Sequence, residues 1–132
     1  MDDRVREFLE HHHAAVMATL KADGTPHVAR VGVGLVDGSL QSSGTLARVR
    51  TKHLRRDPRA TLFVFDTTNP WRWAGLETTV TIHEGADAPQ RNLALYRVLA
   101  GEPKDLDEYL RAMVAEERLI YAFEIHRAYG QY

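Results

Sequence analysis

Two Asp-Gly turns, Ala22-Asp23-Gly24-Thr25 and Asp37-Gly38, constrain this chain more than any other feature. An Asp-Gly pair tolerates the positive φ that a tight hairpin needs, so the flanking apolar runs must pair antiparallel. Ala14 to Lys21, Pro26 to Val36 and Ser39 to Ser43 therefore read as a three-stranded meander. In the second strand Ala29, Val31, Val33 and Leu35 share one face, and Val28, Arg30, Gly32 and Gly34 the other. The glycine face leaves room for something to approach the backbone. Arg59 to Asp66 sets Leu62 and Val64 against Phe63 and Phe65, the pattern of a central strand buried on both faces. Trp71 to His83 alternates Ala74, Leu76, Val80 and Ile82 with Glu77, Thr79 and Thr81, which predicts one wet face. Leu119 to Ile125 is a sixth strand.

Helical spacing fills the intervals. Val5, Phe8 and Leu9 make Asp3 to His13 a short amphipathic helix over one end of the core. Thr45 is placed to cap a helix from Leu46 to about Arg56, with Pro58 marking its stop. Asp87 and Pro89 open a helix that closes at Gly101. Asp105 and Glu108 form a capping-box-like start for the next, in which Leu106, Tyr109, Leu110, Met113 and Val114 make an apolar stripe. Six antiparallel strands with inserted helices predict an α+β barrel. The 132 residues, without repeats or a linker, fit one domain over 1–132, large enough to bury about two thirds of its surface.

The residue inventory removes most chemistries. There is no cysteine, so thiolate nucleophiles, disulfides and cysteine-ligated metals are excluded. His11, His12 and His13 are consecutive at a helix end, cannot converge on one ion, and are expected in solvent. His27, His53, His83 and His126 lack ligand spacing, so no metal site is expected. No Gly-x-Ser-x-Gly motif or nucleophile–base arrangement is present, and Glu116-Glu117 reads as a solvated pair. A net charge of −1 is too balanced for a surface built to hold nucleic acid. The charged Met1 to Glu10 segment has no signal core and no window approaches 18 apolar residues, so a cytoplasmic protein without membrane contact is expected. Without an acid, base or metal, any redox work must come from a bound cofactor.

Arg48, Arg50, Lys52, Arg55 and Arg56 put five cations in nine positions. Four of them could form a solvated helix face. Arg50 cannot, because it projects between Leu46 and Leu54 on the apolar side, where a guanidinium needs a negative partner. That partner is either a ligand phosphate, shared with Arg48 at the helix start, or one of Asp57, Glu77 and Asp66. A DNA-reading helix would need a second helix, interleaved aromatics or a basic arm, none of which is present. Trp71 and Trp73, beside a loop, could lid a planar ligand, cap the barrel or sit at a subunit interface. Their exposure, added to an apolar strand 60–65, predicts a symmetric homodimer.

Three stretches together carry a resemblance: Met17-Ala18-Thr19-Leu20, Asp23-Gly24-Thr25-Pro26-His27-Val28, and Arg48 to Arg59 ending in Leu-Arg-Arg-Asp-Pro-Arg. They resemble the split β-barrel flavin and deazaflavin oxidoreductases related to pyridoxamine 5′-phosphate oxidase. Asn92 to Arg97, Ala100-Gly101-Glu102 and Tyr109 to Val114 look like the helical insert of the coenzyme F420-dependent branch. The resemblance covers nearly the whole chain. It implies a split barrel and a homodimer with a cofactor at each subunit interface, over one barrel and covered by the partner. It implies that Arg48 and Arg50, with Lys52 as a third group, hold the cofactor phosphate. It also implies that His27, Val28 and Ala29 contact the ring system largely through backbone, and that Trp71 and Trp73 border the pocket. Arginine at 50 replaces a lysine common in the family, and His53 an asparagine. The implied reaction is hydride transfer between reduced deazaflavin and an unsaturated small molecule. The alternatives are an FMN-binding oxidase-like protein and a cofactor-binding module without turnover. The branch, and a bias to Arg and Ala suggesting a GC-rich genome, favour F420 over FMN. On the F420 reading, Arg55 and Arg56 would face the cofactor's oligoglutamate tail.

Overall fold

Antiparallel pairing organises the chain from end to end. In a computed structural model describing Met1 to Tyr132, the elements are α1 (Asp3–His11), β1 (Ala14–Leu20), β2 (Pro26–Gly32), β3 (Gly34–Val36) and β4 (Ser39–Thr45), then α2 (Val49–Arg56), β5 (Arg59–Phe65), β6 (Trp73–His83), α3 (Ala88–Ala100), α4 (Leu106–Ala115) and β7 (Arg118–Gln131). The strands form one sheet in the order β2-β1-β5-β6-β7-β4-β3. This is the α+β split barrel, with seven strands rather than the expected six.

The seventh strand comes from a break in the segment read as one strand over 26–36. β2 pairs with β1 and β3 pairs with β4, so the two halves lie on opposite edges of the sheet and the first three runs are not a meander. Val33, fully buried, makes the crossing; its N–H donates to the His13 carbonyl at 2.9 Å, and the His13 Nδ1 lies 3.0 Å from the Val33 carbonyl. A sheet whose edges are joined by one residue must curl. The glycine face is approached as the alternation predicts, and the approaching element is α3: a Cβ on Gly34 would lie 3.0 Å from Val98 Cγ1.

Curling gives the sheet an inside. Met17, Leu40, Leu62, Val64, Leu76 and Tyr121 fill it. Val5, Phe8 and Leu9 of α1 close the end where β1 begins, and Leu54 of α2 enters from the end where β1 finishes. His12 packs on Phe8 with ring centroids 4.5 Å apart, so neither His12 nor His13 is in open solvent; only His11 is. β5 is central but not buried on both faces. Ala60, Leu62 and Val64 point inward, while Thr61 and Phe63 are exposed and Phe65 is half-buried. The outer side of a single-layer curled sheet has nothing in this chain to cover it there. β6 begins at Trp73, leaving Trp71 in the preceding loop, and β7 runs six residues past Ile125.

Gly44 of β4 shows how tightly the interior is built, since a Cβ there would fall on the ring of fully buried Tyr121. Gly44→Ala is expected to lower stability by about 1–3 kcal/mol through overpacking, read from denaturant midpoints. An unchanged midpoint would contradict the packing described.

Candidate cofactor site

The chain turns from β4 into α2 through contacts that also decide where the helix starts. The Thr45 carbonyl accepts from the Arg48 N–H at 3.3 Å and from Thr51 Oγ1 at 2.8 Å, and the Leu46 N–H donates to the Glu117 carbonyl. Thr51 Oγ1 also bonds the Tyr121 hydroxyl. These bonds extend β4 to Thr45, so Thr45 is not the cap; Arg48 is, and the helix starts three residues later than expected. The shift places Arg48 at the cap and Arg50 in the first turn. The Val49 and Arg50 amides find no acceptor within the protein, as at any helix start without a side-chain cap.

Arg50 lies inward, only 9% exposed, with its guanidinium 5.9 Å from the centre of the Tyr121 ring. Its buried Nε has no hydrogen-bond partner, and it forms no ion pair. None of the three candidate acids serves it. Asp57 pairs with Arg59, which holds the carboxyl at about 2. Glu77 pairs with Arg127, and Asp66 accepts from Thr68 and Asn69. Burial lowers the Arg50 pKa, opposed by Tyr121 and reinforced by neighbouring Arg48 and Arg118. An arginine stays charged regardless, so this is a partly desolvated cation whose Nε is buried without a partner and whose compensation within the chain is a ring face. Arg48 and Lys52 are exposed and make no ion pair. Arg55 is different, making two bonds of 2.9 and 3.0 Å to Glu84, and Arg56 donates to the Leu20 carbonyl at 2.7 Å.

His27 on β2 stands against the same helix. Its ring meets that of His53 edge-on at 5.2 Å, and His53 Nδ1 lies 2.9 Å from Thr19 Oγ1. Burial, then His27 and Arg56, push the His53 pKa down. His27 Nδ1 and Arg50 Nε are the two buried side-chain polar atoms without a partner in the chain. Both flank α2. Ala29 is half-buried beyond His27, and Val28 points out from the sheet.

The outer face of β2, β1, β5 and β6 changes character along its length. Near α2 it carries an open groove of about 430 Å³ lined by Leu20, Pro26, Thr61, Glu77, Thr79 and His126. Towards α1 it becomes aromatic: Phe63 stacks on Trp73 at 5.3 Å, and Tyr129 meets Trp73 edge-on at 6.0 Å. Tyr129 can lie flat because Gly75 has no side chain beneath it; a Cβ there would strike the ring at 2.5 Å. Trp71 is 80% exposed in the loop beyond. Thus Arg48, Arg50, Lys52 and His27 gather at one end, and Trp73 lies five strand residues away, about 17 Å. Sequence reasoning missed Thr51, Tyr121 and Gly75, whose roles depend on partners up to 70 residues distant.

The sequence model described as pyridoxamine 5′-phosphate oxidase matches residues 1–131. The fold is similar to that of the conserved hypothetical protein Rv2991 from Mycobacterium tuberculosis, with a TM-score of 0.79 and 20% identity over 97% of this chain and 82% of that one. A structure described as an F420 reductase gives 0.76 and 21%, over 96% of each chain. A candidate pyridoxamine 5′-phosphate oxidase from Listeria innocua gives 0.72 and 13%, over 96% of this chain and 94% of that one. At these identities the structural likeness is one of fold.

The loop that carries Trp71 is held by Asp66. Its Oδ1 accepts from the Thr68 and Asn69 N–H groups and the Thr68 hydroxyl, and its N–H donates to the Arg72 carbonyl at 3.0 Å. Bonds from Thr68 hold the carboxyl below its ordinary 3.8, so the loop's contribution is complete above that value and is lost as pH falls through the lowered one. The melting-temperature gap between the parent and Asp66→Ala should therefore narrow on acidification from neutral pH. A gap independent of pH would contradict this role.

Proposed function

Because the chain belongs to the pyridoxamine 5′-phosphate oxidase family, we propose that it is an oxidoreductase using coenzyme F420 to reduce an unsaturated small molecule. The observation that carries the cofactor site is Arg50, a largely buried arginine at the start of α2 whose Nε has no partner and which has no anion of its own. A phosphate supplies the missing charge, and it can also take the free amides of the first helical turn. Arg48 and Lys52 bind the same group from the solvent side. The donor set thus fits a phosphate-bearing cofactor.

When bound, the cofactor supplies the hydride. The protein binds the phosphate through Arg48, Arg50 and Lys52, orients the ring beside His27, Val28 and Ala29, and excludes water with its aromatic surface. Trp71, Trp73, Phe63 and Tyr129 are covered by a second copy of the chain in this reading, giving a homodimer. FMN is the second reading, favoured by the family itself, because both cofactors present a phosphate and a tricyclic ring. Arg55 and Arg56 already have protein partners, so they add little toward an oligoglutamate tail.

Titrating reduced F420 and FMN separately into the parent, Arg50→Ala and Arg55→Ala proteins ranks the cofactors and tests the site. Charge-assisted bonds of about 1.5–3 kcal/mol make the expected loss for Arg50→Ala about ten- to a hundredfold, with little loss for Arg55→Ala. A folded Arg50→Ala protein that binds both as the parent does would remove the phosphate assignment. Turnover of conjugated enones by reduced F420 separates an enzyme from a binding module. Sedimentation should give twice the 15.0 kDa chain mass, and Phe63→Glu should shift it toward the monomer; a parent monomer would contradict the interface.

A further inference from the structure

The α3–α4 hairpin covers one side of the sheet without filling the space beneath it. A stripe such as that of α4 ordinarily drives a helix into a core. Here none of its residues is buried, and Leu106 and Val114 are 43% and 66% exposed. A cavity of about 270 Å³ remains between α3, α4 and the sheet. Leu95, Leu99, Met113 and the rings of Tyr96 and Tyr109, 4.9 Å apart, form its apolar walls.

Of the polar groups at its edge, those left unpaired can each donate a hydrogen bond. Ser43 Oγ donates to Asn92 Oδ1, and Asn92 Nδ2 donates to the Ala88 carbonyl, so these two are satisfied inside the protein. Arg118 gives its Nε and one terminal nitrogen to Glu116, which leaves the other terminal nitrogen free. The Tyr96 and Tyr109 hydroxyls make no side-chain hydrogen bond, and burial raises the Tyr109 pKa, so the phenol keeps its proton. The cavity therefore offers apolar walls and unused donors. Glu116 already neutralises Arg118, so no anion is demanded.

We propose that this cavity binds a small, flat, uncharged aromatic molecule carrying one hydrogen-bond acceptor, directed at the Tyr109 hydroxyl and Arg118. The site uses none of Arg48, Arg50 and Lys52 and does not depend on the oxidoreductase reading.

Of the chain's three methionines, Met113 lines this cavity and the adjoining one bordered by Leu46 and Val114, Met17 is in the barrel core and Met1 is at the exposed chain start, while Tyr109 lines this cavity and not the adjoining one. Quinoline, a flat bicycle with one acceptor nitrogen, is titrated into the full chain labelled with ¹³C at the methionine methyls. The Met113 signal should shift saturably with a Kd of about 1 mM or tighter, while Met17 and Met1 stay in place. Tyr109→Phe, which keeps the ring and removes the donor, should weaken binding about three- to tenfold with the Met17 signal reporting an intact core. A Met113 signal that does not move, or one that moves with equal affinity in Tyr109→Phe, overturns the proposal.

Discussion

The crossing at Val33 is the constraint on which the architecture depends. One buried residue, bonded through its N–H to the His13 carbonyl, carries the chain from one edge of the sheet to the other. Once β2 and β3 occupy opposite edges, the sheet has to curl, and only then do its strands have an inner and an outer face. The inner face is sealed at its ends by α1 and α2, and the outer face is left with a groove and an aromatic surface.

The same closure explains why α2 can hold a cation in a poor place. Thr51 ties the helix to the Thr45 carbonyl and to the Tyr121 hydroxyl, fixing its first turn against β4 and β7. Arg50 is thereby held inward over Tyr121, and the acids that could neutralise it are engaged with Arg59, Arg127 and the Thr68 turn. A protein selected only for stability would gain from an apolar side chain there. On the proposed reading, the charge at this position is neutralised when the cofactor phosphate binds.

Much of this was legible in the sequence, for reasons that can be assigned. The inward projection of Arg50 holds through its helical spacing to buried Leu54, whereas Leu46, the other residue taken to frame it, lies outside the helix and is exposed. The caps of α3 and α4 were equally local. What failed was long-range. Periodicity of two cannot distinguish one continuous strand from two that pair on different edges, so the break at Val33 was invisible. It also cannot say whether the second apolar face of β5 meets the chain's own core or another molecule. Gly75 and Gly44 are ordinary glycines until Tyr129 and Tyr121 are known to lie across them.

The central claim is that Arg50 is an uncompensated cation awaiting a phosphate, and thermal melting of the parent and Arg50→Met proteins tests it most directly. Methionine fills the same space without the charge, so in the absence of ligand the variant should melt at the same temperature as the parent or higher. Adding F420 or FMN should raise the parent's melting temperature and the variant's by clearly less, as a ten- to a hundredfold weaker affinity requires. An Arg50→Met protein that melts well below the parent without ligand, yet is stabilised by the cofactor to the same extent, would show that Arg50 is a structural residue and would contradict the account.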